Sequence, residues 1–508
     1  MSQLLRRKPI GEAREEHVDP QTDVEPGLRR SLGVWQLTSL GIGAIIGAGI
    51  FSGAGTAISG GPNHLGAGPA LVVSYILVAI ACGFAALCYA EFASMIPQAG
   101  SAYTYAYATL GELVAWIIGW DLIIEYAVGN IAVAVSWSAY FQTLLRGFGL
   151  AFPEWLATDP RTARQAYEQL QADPTITTAS VVEAARAWTT APEVMGLHVI
   201  FNLPAVLVVG LITWVLVVGI RESAWANTVM VVLKLAILLF VIAMGAFWVR
   251  PENWTPFAPN GWAGISAGAA LIFFAYIGFD AVSTAAEEAR NPQKDMPRAM
   301  IASLLVTSLI YIVVTLVLTG LVPWDQHGTA DPLASAFGNR GYHWAAGIIS
   351  FGAVVSMASV LLVFQLGQPR IFFSMARDGL LPQWAAKLHP RYRTPHVTTI
   401  LTGAFVAFFA AFANINEVIE LTNIGTLFAF VLVAVGVMAL RLREPERHRP
   451  FRTPAIWFVA PAAVVSCGYL MLQLPRVTWE RFIIWLAVGL LFYFLYGYRH
   501  SRLRTAAK

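Results

Sequence analysis

Charge is what this sequence most lacks. Of its 508 residues only 12% are Asp, Glu, Lys or Arg, while 57% are hydrophobic. A water-soluble domain carries roughly twice that charged fraction, and a soluble fold of this composition would have no way to cover its surface. Cysteine is nearly as scarce. Cys82, Cys88 and Cys467 lie inside apolar stretches, at spacings that match no metal-ligand pattern. They read as small buried hydrophobes rather than disulfide or metal positions. The first 33 residues are polar and basic and hold no apolar stretch of the signal-peptide kind. No metal cluster and no nucleophile–base constellation is recognisable, so neither an enzyme nor a metal or organic cofactor is expected. No nucleic-acid partner is expected either.

What is present is a succession of apolar runs of about 20 residues, the length a helix needs to cross hydrocarbon. The chain reads as an all-α polytopic membrane protein with 12 transmembrane helices. The spans fall near 34–57, 67–95, 111–149, 198–220, 225–249, 262–285, 298–322, 344–376, 396–414, 418–440, 454–474 and 480–498. Lys and Arg concentrate on the side that holds the N-terminus, including Arg290/Lys294/Arg298, Lys387/Arg391/Arg393 and the 441–452 segment. The positive-inside rule then puts both termini in the cytoplasm. The layout is a cytoplasmic tail 1–33, a core 34–440 carrying an outer loop 150–197, a cytoplasmic loop 441–453, two accessory helices 454–498 and a cytoplasmic tail 499–508. In the outer loop, Asp159-Pro160 predicts an N-cap with proline at the first helical position. Ser180 to Glu183 matches a capping box.

Within the first span stands Gly41-Ile-Gly43-Ala-Ile-Ile-Gly47-Ala48-Gly49-Ile-Phe51, four glycines in nine residues. Glycine weakens a helix, and hydrocarbon supplies no water to satisfy an unwound backbone. A second weak point, Phe273-Phe274-Ala275-Tyr276-Ile277-Gly278-Phe279-Asp280, lies in the sixth span. Spans one and six are an odd number apart and cross in opposite directions. Paired broken helices in inverted halves point to a transporter site near the bilayer midplane. The competing reading is that these glycines serve close helix packing.

Freed N–H groups at a helix start, here those of Gly47, Ala48 and Gly49, suit a carboxylate, and freed carbonyls suit an ammonium. Asp121 and Glu125 share one face of the third span. Glu125 lies about 21 Å along that helix from its inner end, at 1.5 Å per residue. A carboxyl at that depth either meets a cationic substrate side chain or bonds a neighbouring helix as a protonated acid. For Asp280 the alternatives are the same substrate role or capping of the broken helix. Phe279 is a candidate gate, with Tyr276, Trp116 and Trp120 behind it, while packing or interface anchoring is the alternative for each. Glu91, Glu287 and Glu288 suit ion pairs at inner helix ends.

Several motifs occur in order: Gly41 to Phe51; Tyr89-Ala-Glu91-Phe through Pro97, Gly100, Tyr103 and Tyr105; and Gly119-Trp-Asp121 to Tyr126. They continue with Phe273 to Glu288 and Arg290-Asn-Pro292, Arg377 to Pro382, and Leu421-Thr-Asn to Leu427. Over roughly residues 30 to 500 the chain resembles the amino acid–polyamine–organocation (APC) superfamily, in particular the bacterial cationic amino acid transporter branch with its ApcT-like permeases. The resemblance implies the LeuT-type fold: five-helix repeats 34–249 and 262–440, inverted relative to one another, spans one and six broken, and two C-terminal helices. It implies a secondary active symporter of the bacterial plasma membrane that imports cationic or neutral L-amino acids by alternating access, with the proton as coupling ion and sodium not expected. An exchanger and a non-transporting amino acid sensor are the alternatives. Partners are the small-molecule substrate and membrane lipid, with a small accessory membrane protein left open.

By the same resemblance, carbonyls of Ile45, Phe274, Ala275 and Ile277 receive the substrate ammonium. Lys234 matches the position at which some proton-coupled relatives replace the sodium ion of sodium-coupled ones, bonding first-span carbonyls near Ser356 or Ser359. It lies about 14 Å along the fifth span, deep enough to require either this coupling role or a structural, snorkelling one. The segment 52–68 and the loop 150–197 are longer than the family pattern.

Overall fold

The computed structural model describes residues 6–7, 32–61, 64–96, 101–173, 179–218, 224–283, 289–392 and 394–505. Among these, nine helices are long and apolar enough to cross a membrane and three apolar helices are shorter. In chain order they are α1 (Val34–Ser59), α2 (Gly68–Met95), α3 (Glu112–Gly147), α4 (Leu203–Val218, short), α5 (Thr228–Ala246) and α6 (Gly261–Ser283). They continue as α7 (Pro292–Leu321), α8 (His343–Arg377), α9 (His396–Phe412, short), α10 (Ile415–Arg443), α11 (Ile456–Leu472, short) and α12 (Arg476–His500). Among the described residues, sheet is limited to two-residue strands in two hairpins, at Gly60–Gly61 with His64–Leu65 and at Glu193–Val194 with Leu197–His198.

A helix satisfies its own backbone, so long apolar runs fold this way wherever water is excluded. What differs between them is enclosure. The apolar stretches of α1, α3 and α6 are 89%, 89% and 94% buried, whereas those of α5 and α12 are 33% and 22% buried. The three enclosed helices thus form the centre, and α12 lies at the periphery. Helices five apart in the order pack together: α1 on α6, α2 on α7, α3 on α8 and α4 on α9.

Buried charge anchors the end of the bundle where α2 and α10 finish. The Arg441 guanidinium forks onto Glu91 at 2.8 and 2.7 Å, and Arg449 reaches the same carboxylate at 3.2 Å. The expectation of a structural ion pair for Glu91 is met. Glu287 and Glu288 lie outside the described residues. Trp116 and Trp120 stack on one another, and their indole N–H groups donate to the carbonyls of Gly489 and Trp485, both at 2.9 Å. They hold α3 to α12. All three cysteines are free and buried.

The outer loop carries two helices, Pro160–Ala172 and Ala179–Thr190. Asp159 caps the first by accepting from the amides of Arg161 and Thr162 at 3.1 and 3.0 Å. The second begins at Ala179, one residue before the expected cap Ser180, whose side chain is outside the described set. Part of segment 52–68 folds as the first hairpin. It is pinned where His64 Nε2 meets Glu420 at 2.6 Å and Thr478 donates to the same carboxylate at 2.5 Å.

Candidate functional site

Both expected breaks are present and face each other. The first helical run of α1 stops at Ile45, Ile46 is extended with ψ 101°, and the chain resumes as a wide π turn over Gly49–Gly53. The α6 helix runs to Ile272, tightens to a 3₁₀ turn over Phe273–Tyr276 and opens at Ile277, with ψ 132°. Gly278 then adopts φ +117°, a conformation that a side chain would strain.

The glycines let the two breaks cross. A Cβ on Gly49 would sit 2.2 Å from Cα of Ala275, and one on Gly278 would sit 2.9 Å from the Ala44 carbonyl. Close packing therefore accounts for Gly49 and Gly278. Gly47 is less tightly held, its missing Cβ falling 3.0 Å from the Val360 side chain. The amides of Gly47, Ala48 and Gly49 open the second half of α1, and N–H groups at a helix start have no carbonyl one turn earlier.

The carbonyls freed on α1 are met by side chains from three neighbouring helices. Lys234, only 1% exposed, donates from Nζ to Gly43 O at 2.5 Å and to Ile46 O at 3.2 Å. Ser356 of α8 donates to the same Ile46 O at 3.4 Å, while Ser359 turns to Ser356 O of its own helix. Tyr311 of α7 donates to Ile45 O at 3.1 Å, leaving that carbonyl one further lone pair. On α6, Asn423 of α10 donates to Ala270 O and Leu271 O at 2.7 and 2.9 Å. Tyr311 was not foreseen, because a tyrosine in a span reads equally well as packing. Asn423 had a signal in the Leu421-Thr-Asn motif.

The acids gather beside this crossing. Glu125 sits within a π turn of α3, Ile124–Val128, a local widening that often marks function. It is 2% exposed, and its carboxyl and that of Asp280 are neighbours. Both oxygens of the Asp280 carboxyl, and Oε2 of Glu125, are buried without a hydrogen-bond partner among the described residues. Asp121 is buried against Gly425. Phe279 is fully buried in an aromatic cluster, 5.1 Å from the Phe430 ring and 5.9 Å from Tyr89, centroid to centroid. Phe274 and Ala275 are buried at the crossing.

A pair of opposed helix breaks with a lysine bonded into one of them is transport architecture, and comparison with known proteins decides the family. Residues 32–493 match the model of a family described as "Amino acid permease". The chain belongs to that family, within the APC superfamily. A branched-chain amino acid permease of Bacillus subtilis (strain 168) is 44% identical over 483 residues, 95% of this chain and 96% of the relative. A methylthioribose transporter of the same organism is 43% identical over 503 residues, 99% of this chain and all of the relative. The vacuolar cationic amino acid transporter 2 of Arabidopsis thaliana is 36% identical over 451 residues, 88% of this chain and 64% of the relative. Members are transporters, so this permease is not an enzyme, and its substrate is a small molecule.

Proposed function

We propose that this permease imports neutral, aliphatic L-amino acids together with protons, by alternating access around the crossed breaks of α1 and α6. The substrate carboxylate takes the amides of Gly47, Ala48 and Gly49, and its ammonium takes the carbonyls of Ile45, Phe274, Ala275 and Ile277. The Lys234 ammonium occupies the position a coupling cation would take. When it loses its proton toward the cytoplasm, the bonds to Gly43 and Ile46 weaken and α1 is released. No sodium ion is required. Phe279, packed on Tyr89 and Phe430, closes the inner side of the break. The observation that carries this reading is the pair of bonds from Lys234 Nζ to Gly43 O and Ile46 O.

Packing between helices five apart in order supports a LeuT-type core of two inverted repeats, 34–249 and 262–440, followed by two accessory helices, with 12 spans in all. Both termini lie in the cytoplasm and the membrane is the bacterial plasma membrane. The preference for neutral substrates rests on the resemblance to the branched-chain permease. Import coupled to protons, rather than exchange, is tested by uptake of labelled leucine into proteoliposomes, with and without internal leucine. A second reading, carriage of a methylthio sugar, is favoured by the full-length match to the methylthioribose transporter. Methylthioribose should then compete with leucine for uptake.

A further inference from the structure

A cavity of about 370 Å³ lies between the outer ends of α1, α3 and α10 and the loop that follows α7. Residues from the two helices of the 150–197 loop contribute to its wall, so this loop covers the chamber. The cover is fastened on both sides. Arg161 pairs with Glu417 of α10, which also meets Arg481 at 3.1 Å, and Asn414 donates to Thr162 at 3.0 Å. On the other side, Arg146 of α3 pairs with Glu183 at 2.8 Å and Gln142 donates to Ala157 O at 2.9 Å.

The chamber is chemically lopsided. Four carboxyls line it, from Glu154, Asp159, Glu183 and Asp331, against the single guanidinium of Arg146. Burial pushes Asp331 up, and hydrogen bonds from Thr143 at 2.6 Å and Ser335 at 2.7 Å offset only part of that rise. Burial raises Asp159 as well, against the hydrogen bonds of its own helix cap. The floor holds Ser52 in the π turn of α1, 3% exposed, with a hydroxyl that has no partner within the protein. A hydroxyl so buried and unpaired suits a polar solute that stops there, and a surplus of carboxylates in a recess raises the local concentration of cations.

We infer that this outer chamber is a charge-selective capture site, which holds zwitterionic or cationic amino acids ahead of the α1–α6 crossing and turns anionic ones away. The inference rests on the transport reading for its role but concerns a different set of residues. Glu183 and Arg146 set the potential in opposite senses, and Ser52 supplies a hydroxyl to the occupant.

The test uses the full chain with a reporter cysteine at Thr56 or, independently, at Ala139, both on the chamber wall. The native cysteines are buried and give little background. Modification rates are compared for two methanethiosulfonate reagents of similar size, one a quaternary ammonium and one a sulfonate. The cation-to-anion rate ratio should exceed that of a free thiol in the same buffer by about tenfold, falling toward it in molar salt. R146Q should raise the ratio and E183Q should lower it. A ratio equal to the free thiol's, or a shift of both variants in the same direction, overturns the charge assignment.

Leucine and arginine, added separately, should slow modification and aspartate should not. This protection should persist in Ala48→Leu, where the central crossing is blocked. Protection that vanishes in Ala48→Leu would place the binding at the crossing and remove the capture site, leaving the transport reading intact.

Discussion

Lys234 and Ile46 are joined through one carbonyl, Ile46 O, which accepts from Lys234 Nζ at 3.2 Å and from Ser356 Oγ at 3.4 Å. Three helices therefore meet at the residue where α1 leaves its helical path. A proton gained or lost at Nζ changes one of these bonds and one at Gly43 O, and both lie on the moving part of the proposed site. Lys234→Ala should retain leucine binding within about threefold while gradient-driven accumulation falls at least tenfold. Normal accumulation by this variant removes Lys234 from coupling.

Ala48 is fully buried at the crossing. Ala48→Leu adds three carbons where α1 resumes. Overpacking costs about 1–3 kcal/mol, which corresponds to roughly one to two powers of ten in affinity. Leucine affinity of the purified, monodisperse variant checks this. An unchanged affinity places the substrate elsewhere.

Glu125 and Asp280 are expected to act as a pair. Glu125→Gln and Asp280→Asn should each reduce proton-driven leucine uptake several-fold, and the double variant should lose no more than the worse single one, since interacting residues are not additive. A loss confined to arginine or lysine transport, with leucine untouched, would instead assign them to a cationic side chain.

The loop between α7 and α8 offers a separate pH effect. Burial holds the His327 imidazole down at about 4, where it meets the Val322 carbonyl at 3.2 Å. The unfolded chain has the ordinary value near 6.5, so between about 6.5 and 4 the unfolded state binds more protons. The stability due to neutral His327 is therefore full above about 6.5 and lost as pH falls toward 4, by about 3 kcal/mol in total. Thermal unfolding in detergent should show this slope in the parent, and His327→Gln should flatten it.

The sequence made the breaks legible because glycine clusters and an extended residue are local features. Gly47 to Gly49 and Gly278 stand where the chain leaves its helices. Lys234 was legible for a different reason, since a cation deep in hydrocarbon must have partners. What local pattern withheld is who meets whom. Tyr311 answers Ile45, and Trp116 and Trp120 bond to α12, and each contact joins residues far apart in the chain. Gly49 illustrates the limit: its spacing fits substrate approach and helix crossing alike, and the crossing shows only in that a Cβ placed on Gly49 would fall 2.2 Å from Cα of Ala275. The chamber under the 150–197 loop was likewise invisible, since a loop's length does not say what it covers.

The most direct test of the account is leucine accumulation in proteoliposomes under an imposed pH gradient, acid outside, in sodium-free buffer. The account predicts uphill accumulation that a protonophore abolishes and that added sodium leaves unchanged. Accumulation that requires sodium, or that occurs only with internal amino acid and ignores the pH gradient, would contradict it.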